Sequence, residues 1–324
     1  MAGHKYKGYT NDGRPLKIAF DVDGDDTPPA QLPAVEPTPR PKYTGVGKGL
    51  CFISFGSGSS GNCAYLGTFD SGILIDAGID LDQVFGELQR NGVFPSAVKG
   101  IILTHDHQDH VRYVYAYVRK HKHLRVYCTP KLMTGLLRRH NISSRVRDYH
   151  EPIYKEIPFK IAGMELTAFE TSHDGSDNMG FSIKIGERTF VVATDMGVIT
   201  DRAKFYMSQA NHLMIESNYD RQMLDQGLYP EYLKARVRGE RGHLDNKVAA
   251  EFVASHYHEG LQHVFLCHLS NDNNRPEIAC TTMTMALQQR GLTVGDGSNI
   301  PSQRGCDVQV YALPRFKCSH WFVL

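Results

Sequence analysis

Four side chains able to hold a metal ion fall within six residues of the run Thr104-His105-Asp106-His107-Gln108-Asp109-His110. The run follows Gly100-Ile101-Ile102-Leu103, an apolar stretch that reads as a buried strand. It precedes Val111, Val114, Tyr115 and Val118, which share one helical face. The spacing therefore predicts a strand-to-helix loop. Four donors so close together cannot all point one way. Alternate side chains can serve two adjacent ions: His105 and His107 one, Asp109 and His110 the other. Imidazole and carboxylate donors suit Zn²⁺, with Mn²⁺ or Fe also compatible.

Two ions need further ligands, and these must come from other loops. His173 follows the strand-like run Leu166-Thr167-Ala168-Phe169-Glu170, Asp195 follows Phe190-Val191-Val192-Ala193, and His268 follows Val264-Phe265-Leu266-Cys267. A single histidine at a strand end is a weak signal, because a satisfied core or capping residue looks the same. Recurrence in the order His, Asp, His, each time just past a strand, makes the three a set with the anchor run.

The elements that must position these residues show in the hydrophobic pattern. Short apolar runs separated by turns predict strands at 50–54, 63–67, 73–76, 100–103, 124–128, 165–170, 180–185, 189–193, 212–216, 264–267 and 307–313. Amphipathic stretches predict helices at 81–91, 111–121, 130–140, 230–238, 246–258 and 276–290. Strand hairpins open each half and helices follow. That order points to the α/β (α+β) class: an αββα sandwich of two mixed sheets with helices on the outer faces. Residues 1–46 carry seven prolines and an acidic cluster at Asp21, Asp23, Asp25 and Asp26. They read as an extension, partly disordered or with an edge strand at 16–20. The hydrolase domain is placed at 47–324.

Composition narrows the function classes. Of 324 residues 41% are hydrophobic, enough for a sizeable core, and Lys+Arg of 36 against Asp+Glu of 35 leaves a net charge of +1. No global field draws the chain to a polyanion, so any nucleic-acid contact must be local. No apolar run is long enough to cross a bilayer and the first residues lack a signal-peptide core, which predicts a cytoplasmic protein without membrane contact. Seven cysteines without a CxxC pair fit reduced thiols, with Cys51, Cys128 and Cys267 as small core residues.

With these residues in view, the chain resembles the metallo-β-lactamase superfamily: His105-x-His107-x-Asp109-His110, then His173, Asp195 and His268, are similar to its ligand motifs, and Leu74-Ile75-Asp76-Ala77-Gly78 to its first. Within the superfamily, Ser54-Phe55-Gly56-Ser57-Gly58-Ser59-Ser60-Gly61-Asn62-Cys63 and His268-Leu269-Ser270-Asn271-Asp272-Asn273-Asn274-Arg275-Pro276-Glu277 look like the YycJ-like (WalJ-like) exonuclease branch, akin to tRNase Z. So do Glu216-Ser217-Asn218-Tyr219-Asp220 and Arg241-Gly242-His243-Leu244-Asp245-Asn246.

The resemblance implies that His105, His107 and His173 hold one divalent ion, Asp109, His110 and His268 the other, and that Asp195 bridges them. A shared carboxylate and a bridging hydroxide would offset the repulsion of two cations roughly 3.5–4 Å apart. Asp76 is expected to orient a ligand histidine from outside the ligand set. The resemblance also makes His243 a non-ligand catalytic histidine oriented by Glu216, with Asp109 in the catalytic set. A His–carboxylate pair can hand a proton to a leaving alkoxide, which suits a phosphodiester.

Ser59, Ser60 and Asn62 lie in a loop of small residues whose N–H groups could meet substrate phosphate, though a plain hairpin turn would read alike. Arg112, Arg119, Lys120, Lys122 and Arg125, with Lys131, Arg138, Arg139, Arg145 and Arg147 beyond, could steer a nucleic-acid backbone or form a solvated face. The expected activity is a metal-dependent phosphodiesterase, with a 5′-to-3′ DNA exonuclease first. An RNA-processing nuclease and a small-molecule thioester or lactam hydrolase remain as alternatives, and the oligomeric state is left open.

Overall fold

The strand runs assemble into two sheets in the computed structural model, which describes residues 49–298 and 305–324. In the first, β1 (Cys51–Gly56), β2 (Cys63–Gly67) and β3 (Gly72–Ile75) are antiparallel, and β4 (Val98–Ile102), β5 (Val126–Cys128) and β6 (His150–Pro152) continue in parallel. The second repeats this plan. Strands β7 (Phe159–Ile161), β8 (Met164–Glu170), β9 (Met179–Ile185) and β10 (Arg188–Ala193) are antiparallel. Next come parallel β11 (His212–Glu216) and β12 (His263–Cys267), then β13 (Val294–Gly295) outermost and β14 (Val308–Ala312) beside β12. The last strand, β15 (Phe322–Val323), returns to pair with β1. Antiparallel neighbours need only tight turns, whereas each parallel step needs a crossover.

Helices occupy most of those crossovers. In the first half they are α1 (Leu81–Arg90), α2 (Gln108–Val111), α3 (Val114–Lys120) and α4 (Pro130–Arg139); in the second, α5 (Asp201–Met207), α6 (Arg221–Gln226), α7 (Glu231–Arg238), α8 (Asn246–Ser255) and α9 (Pro276–Gln288). Sequence patterning therefore recovered the αββα plan. No helix among the described residues is long and apolar enough to cross a membrane.

Strand alternation explains the layers. Along β10, Phe190 and Val192 join the core between the sheets, while Val191 and Ala193 join a second core under α5, α8 and α9. A strand buried on both faces reads as a continuous apolar run. Between the sheets Phe52 packs against Phe190 and Phe265 with ring centroids 5.0 and 4.7 Å apart, and Phe265 meets Phe322 at 4.8 Å. Truncating one of these rings to alanine would cost about 3–5 kcal/mol. Cys51, Cys128 and Cys267 are buried and free, as expected of core thiols.

One expected element is divided. The helix expected at 111–121 starts earlier, at Gln108, and breaks after Val111, so Asp109 and His110 sit in a short helix rather than in the loop. Tertiary hydrogen bonds cause the break. The Asp109 and His110 carbonyls accept from the Asn62 and Ala77 N–H groups at 2.8 and 2.7 Å, and the Tyr113 N–H turns to the Ala77 carbonyl at 2.9 Å. Gly78 lies so close to this junction that a β-carbon there would sit 1.6 Å from the Asp109 carbonyl oxygen. Helices α5 and α6 and strands β6, β7, β13 and β15 carry no pattern long enough to be read from sequence. The extension at 1–46, including the strand expected at 16–20, lies outside the described residues.

Candidate metal centre

The anchor run follows β4, and Asp76, His173, Asp195, Glu216 and His268 stand at or just past the C-terminal ends of β3, β8, β10, β11 and β12 at the same edge of the sandwich. Three of them, Asp76, Asp195 and His268, have φ of 61°, 52° and 54°. The left-handed region costs a residue with a side chain of order 1 kcal/mol or more, a strain typical of functional sites. Just past a strand's last residue it ends the extended run and turns the side chain toward the site.

The geometry gathers every expected ligand. His105, His107 and His173 can each direct a ligand atom to within 4.8 Å of the others; Asp109, His110 and His268 form a second such group, and His105, His110 and Asp195 a third that links them. The Asp195 carboxylate stands between the first two groups: Oδ1 is 3.7 Å from His173 Nε2 and 3.2 Å from His268 Nδ1, and Oδ2 is 3.3 Å from His110 Nε2. His107 Nδ1 and His173 Nε2 are 3.3 Å apart. That is close to the roughly 3.4 Å between two nitrogens bound tetrahedrally at about 2.05 Å to one zinc.

The other face of each ring is held from outside. His110 Nδ1 meets Asp76 Oδ2 at 2.7 Å, His173 Nδ1 donates to the Gly242 carbonyl at 2.8 Å, His268 Nδ1 meets Glu216 Oε1 at 3.1 Å, and His107 Nε2 meets Asp174 Oδ1 at 3.0 Å. His105 Nδ1 lies 3.1 Å from the Thr104 hydroxyl, while its Nε2 is buried without a hydrogen-bond partner. An orphaned buried nitrogen is costly unless something binds it. One nitrogen held and the other turned inward is the pattern of metal-binding histidines. The residues fit a divalent-metal centre.

Charge supports the same fit. Burial opposes ionisation of Asp195 and Asp109, yet His268 and His110 hold Asp195 well below the usual carboxylate range, and His110 and His268 lower Asp109. In return, Asp76, Asp195 and Asp109 hold the His110 imidazole well above its ordinary value against the effect of burial. For His268, Asp195, Asp109 and Glu216 overcome burial and raise it to about 10. Burial lowers His105, reinforced by His110, and lowers His173 against the opposing pull of Asp195. The carboxylates thus demand positive charge here. A divalent ion held by these residues would have to displace protons from His110 and His268, so its affinity would fall as pH is lowered.

His243 stands at the mouth of the centre. Its Nδ1 is 2.7 Å from Glu216 Oε1, and its ring centroid lies 5.0 Å from that of His173 and 5.2 Å from that of His268. Glu216 is fully buried and also accepts from the Met196 and Leu244 N–H groups. Burial works against its charge, but His243 and His268 keep it below the ordinary range. Asp195, Glu216, His243 and His268 are close enough to share an ion as well. Beside His243 opens a cleft of about 180 Å³ lined by Ser59, Tyr229, Arg236, Arg241 and Ser270 among others.

The small-residue loop divides its roles. Ser59 is exposed on the cleft. Ser60 is half-buried, its carbonyl 3.4 Å from Arg112 Nη1. Asn62 is buried, its amide directed to the Gly58 carbonyl and to Asp109 Oδ2 at 3.1 Å. Ser57 accepts the His268 N–H at 2.9 Å. Among the basic residues expected to steer a backbone, Lys120, Arg125, Lys131, Arg139 and Arg145 are paired with Asp82, Glu151, Asp177, Asp106 and Asp148.

Asp174 escaped the sequence reading. Its Oδ1 faces His107 Nε2 and lies 3.6 Å from His173 Nε2, while its Oδ2 accepts from Arg236 Nε and Nη2 at 3.1 and 2.7 Å. The only available signal was its place directly after His173. Asn218 escaped too; its amide donates to the His268 carbonyl at 2.7 Å, and Asn274 and Asn246 continue a buried amide network behind it.

Residues 72–268 match the sequence profile described as the Beta-lactamase superfamily domain. The chain is 33% identical over 256 residues to exodeoxyribonuclease YycJ of Bacillus anthracis, covering 78% of this chain and 94% of that protein. Its fold is similar to the metallo-β-lactamase fold protein YhfI of Bacillus subtilis, with a TM-score of 0.59 at 15% identity over 83% of this chain and 99% of that one. It is also similar to the short form of human tRNase Z, with a TM-score of 0.53 at 15% identity over 83% and 98%.

Proposed function

Because the chain belongs to the β-lactamase superfamily and has its metallo-β-lactamase fold, we propose that this hydrolase is a DNA exonuclease working from the 5′ end with two divalent ions, zinc foremost. The DNA substrate follows the name of its exodeoxyribonuclease relative. The polarity rests on the sequence resemblance alone. His105, His107 and His173 would hold one ion, Asp109, His110 and His268 the other, with Asp195 shared. Bound there, the ions would supply Lewis acidity and neutralise charge that develops on a phosphodiester.

The observation that carries the reading is the His243–Glu216 pair. Glu216 Oε1 holds His243 Nδ1 at 2.7 Å, which leaves Nε2 as the ring's free nitrogen at the cleft. A histidine so placed can give a proton to a leaving alkoxide, which departs from a phosphodiester only with such help. Asp76, Asp174 and the Gly242 carbonyl keep the ligand rings oriented, and Asn62 positions Asp109. Ser59 and Ser60 are proposed to face substrate phosphate.

The test is zinc- or manganese-loaded protein offered single- and double-stranded DNA and RNA labelled at either end. DNA labelled at its 5′ end should release labelled mononucleotide first, while 3′-labelled DNA shortens as a ladder. The reverse pattern would overturn the polarity, and RNA cleavage without DNA cleavage the substrate.

A further inference from the structure

Asp106 stands between two of the expected ligand histidines but lies outside the ligand set. It is fully buried. A buried carboxyl group is costly unless hydrogen bonds meet it, so its partners show what it is there to hold. Its Oδ1 accepts from the Ser176 N–H at 2.8 Å and faces Arg139 Nη1 at 3.4 Å, and its main-chain carbonyl accepts from His140 Nε2 at 2.5 Å. Asp106 thus ties the anchor run to two other segments, the loop at 173–178 and the C-terminal end of α4.

That loop carries His173 and also Asp174, which faces His107. It joins β8 to β9 and has no ladder of its own. Asn178 folds it locally, accepting from the Gly175 N–H at 3.1 Å and donating to the His173 carbonyl at 2.8 Å. Midway, the Ser176 N–H fastens it to Asp106, and at its far end the Met179 N–H reaches the Thr104 carbonyl at 3.0 Å. Helix α4 closes over the junction. A β-carbon on Gly135, inside α4, would sit 2.2 Å from Ser176 Oγ and 2.6 Å from Asp106 Oδ2. Glycine weakens a helix interior, and here the close approach of three segments requires it. Asp106 Oδ2 and Ser176 Oγ are both buried without hydrogen-bond partners. Such orphaned oxygens are destabilising, and the fold tolerates them where it keeps these segments in contact.

His105 and His107 flank Asp106 in the chain, and His173 lies three residues before Ser176. All three donors assigned to the first ion are therefore placed around this one carboxylate. The second set has other supports: Asn62 holds Asp109, Asp76 holds His110, and Ser57 and Glu216 hold His268. We propose that Asp106 is the positioning residue of the first ion alone, locking the His173 loop onto the anchor run so that His105, His107 and His173 converge. The proposal rests on the two-ion reading and adds that the two ions are secured by separate supports, so that one can be lost without the other.

Zinc content of the full chain tests it, measured after equilibration over a series of chelator-buffered zinc concentrations. Wild type should fill with two ions. Asp106→Ala should weaken one of them by roughly 10–100-fold, the usual effect of losing a support outside the ligand set, and leave the other at its wild-type affinity. Asp106→Asn keeps an acceptor for the Ser176 N–H and should restore most of the loss. Gly135→Ala reaches the same junction from the other side. Alanine suits a helix better than glycine, yet its β-carbon would push Ser176 away from Asp106, so the same ion should weaken although α4 is no less stable. Pairing the variants identifies the ion: Asp106→Ala should take nothing further from His173→Ala but should weaken the ion left in His268→Ala. Both ions weakened alike by Asp106→Ala, or neither, would overturn the proposal and leave the two-ion reading standing. A wild-type chain that binds fewer than two ions would take both down.

Discussion

Asp174→Ala should weaken metal binding without unfolding the protein. In the structure one carboxylate oxygen faces His107 Nε2 at 3.0 Å, and the other is forked by Arg236 at 2.7 and 3.1 Å. The His107 contact, foremost, and Arg236 keep the Asp174 carboxyl below its usual range, so it acts as an ionised acceptor. A hydrogen bond to a charged group is worth about 1.5–3 kcal/mol. Loss of an outer partner of a metal-binding histidine typically costs 10–100-fold in affinity, or about 1.4–2.7 kcal/mol. The two magnitudes agree, and Asp174 is partly exposed, which favours the lower half. Zinc-loaded protein titrated with a competing chelator reads the effect directly: Asp174→Ala should release metal at roughly tenfold lower chelator. Arg236→Ala should shift it less, because Arg236 acts only through Asp174. Melting in excess chelator should match wild type, whereas melting in excess metal should fall by linkage. An unchanged chelator midpoint would refute the claim that Asp174 orients His107.

Two further outcomes follow from the same geometry. His243→Ala should lose roughly 10²–10⁴-fold in rate on DNA while its metal content stays that of wild type; the loss should shrink on bis-p-nitrophenyl phosphate, whose leaving oxygen needs little protonation, and equal losses on both would contradict the acid role. Far from the metal centre, His212 and His263 face each other through their Nδ1 atoms at 3.0 Å. Burial, with His263 adding to it, lowers His212 to about 3, and burial lowers His263 to about 4. These values lie below the unfolded value of about 6.5, so the unfolded chain takes up protons first. The pair's contribution is complete above about pH 6.5 and is lost as pH falls toward 4, on the order of 3 kcal/mol for each histidine. Urea midpoints in chelator at about pH 7 and about pH 5 should therefore converge in His263→Asn relative to wild type. An identical pH dependence would dismiss the pair as the cause.

The sequence by itself determined the types of the candidate donors and their stations. A strand-to-helix junction carries His105, His107, Asp109 and His110 in a local pattern, and apolar runs before His173, Asp195 and His268 show through alternation, which needs no knowledge of partners. The αββα plan was legible for the same reason, since both sheets open with hairpins and continue through helical crossovers. What the pattern could not show is what each ring's second nitrogen touches. Asp76 was expected beside a ligand histidine, but Asp174 and the Gly242 carbonyl reach His107 and His173 from positions far apart in the chain, and no periodicity links them. The break between α2 and α3 was hidden likewise, because it arises where Asn62 and Ala77 take the Asp109 and His110 carbonyls away from the helix. Local chemistry writes the donors into the chain. Their orientation is decided by hydrogen bonds that exist only once the two sheets have packed.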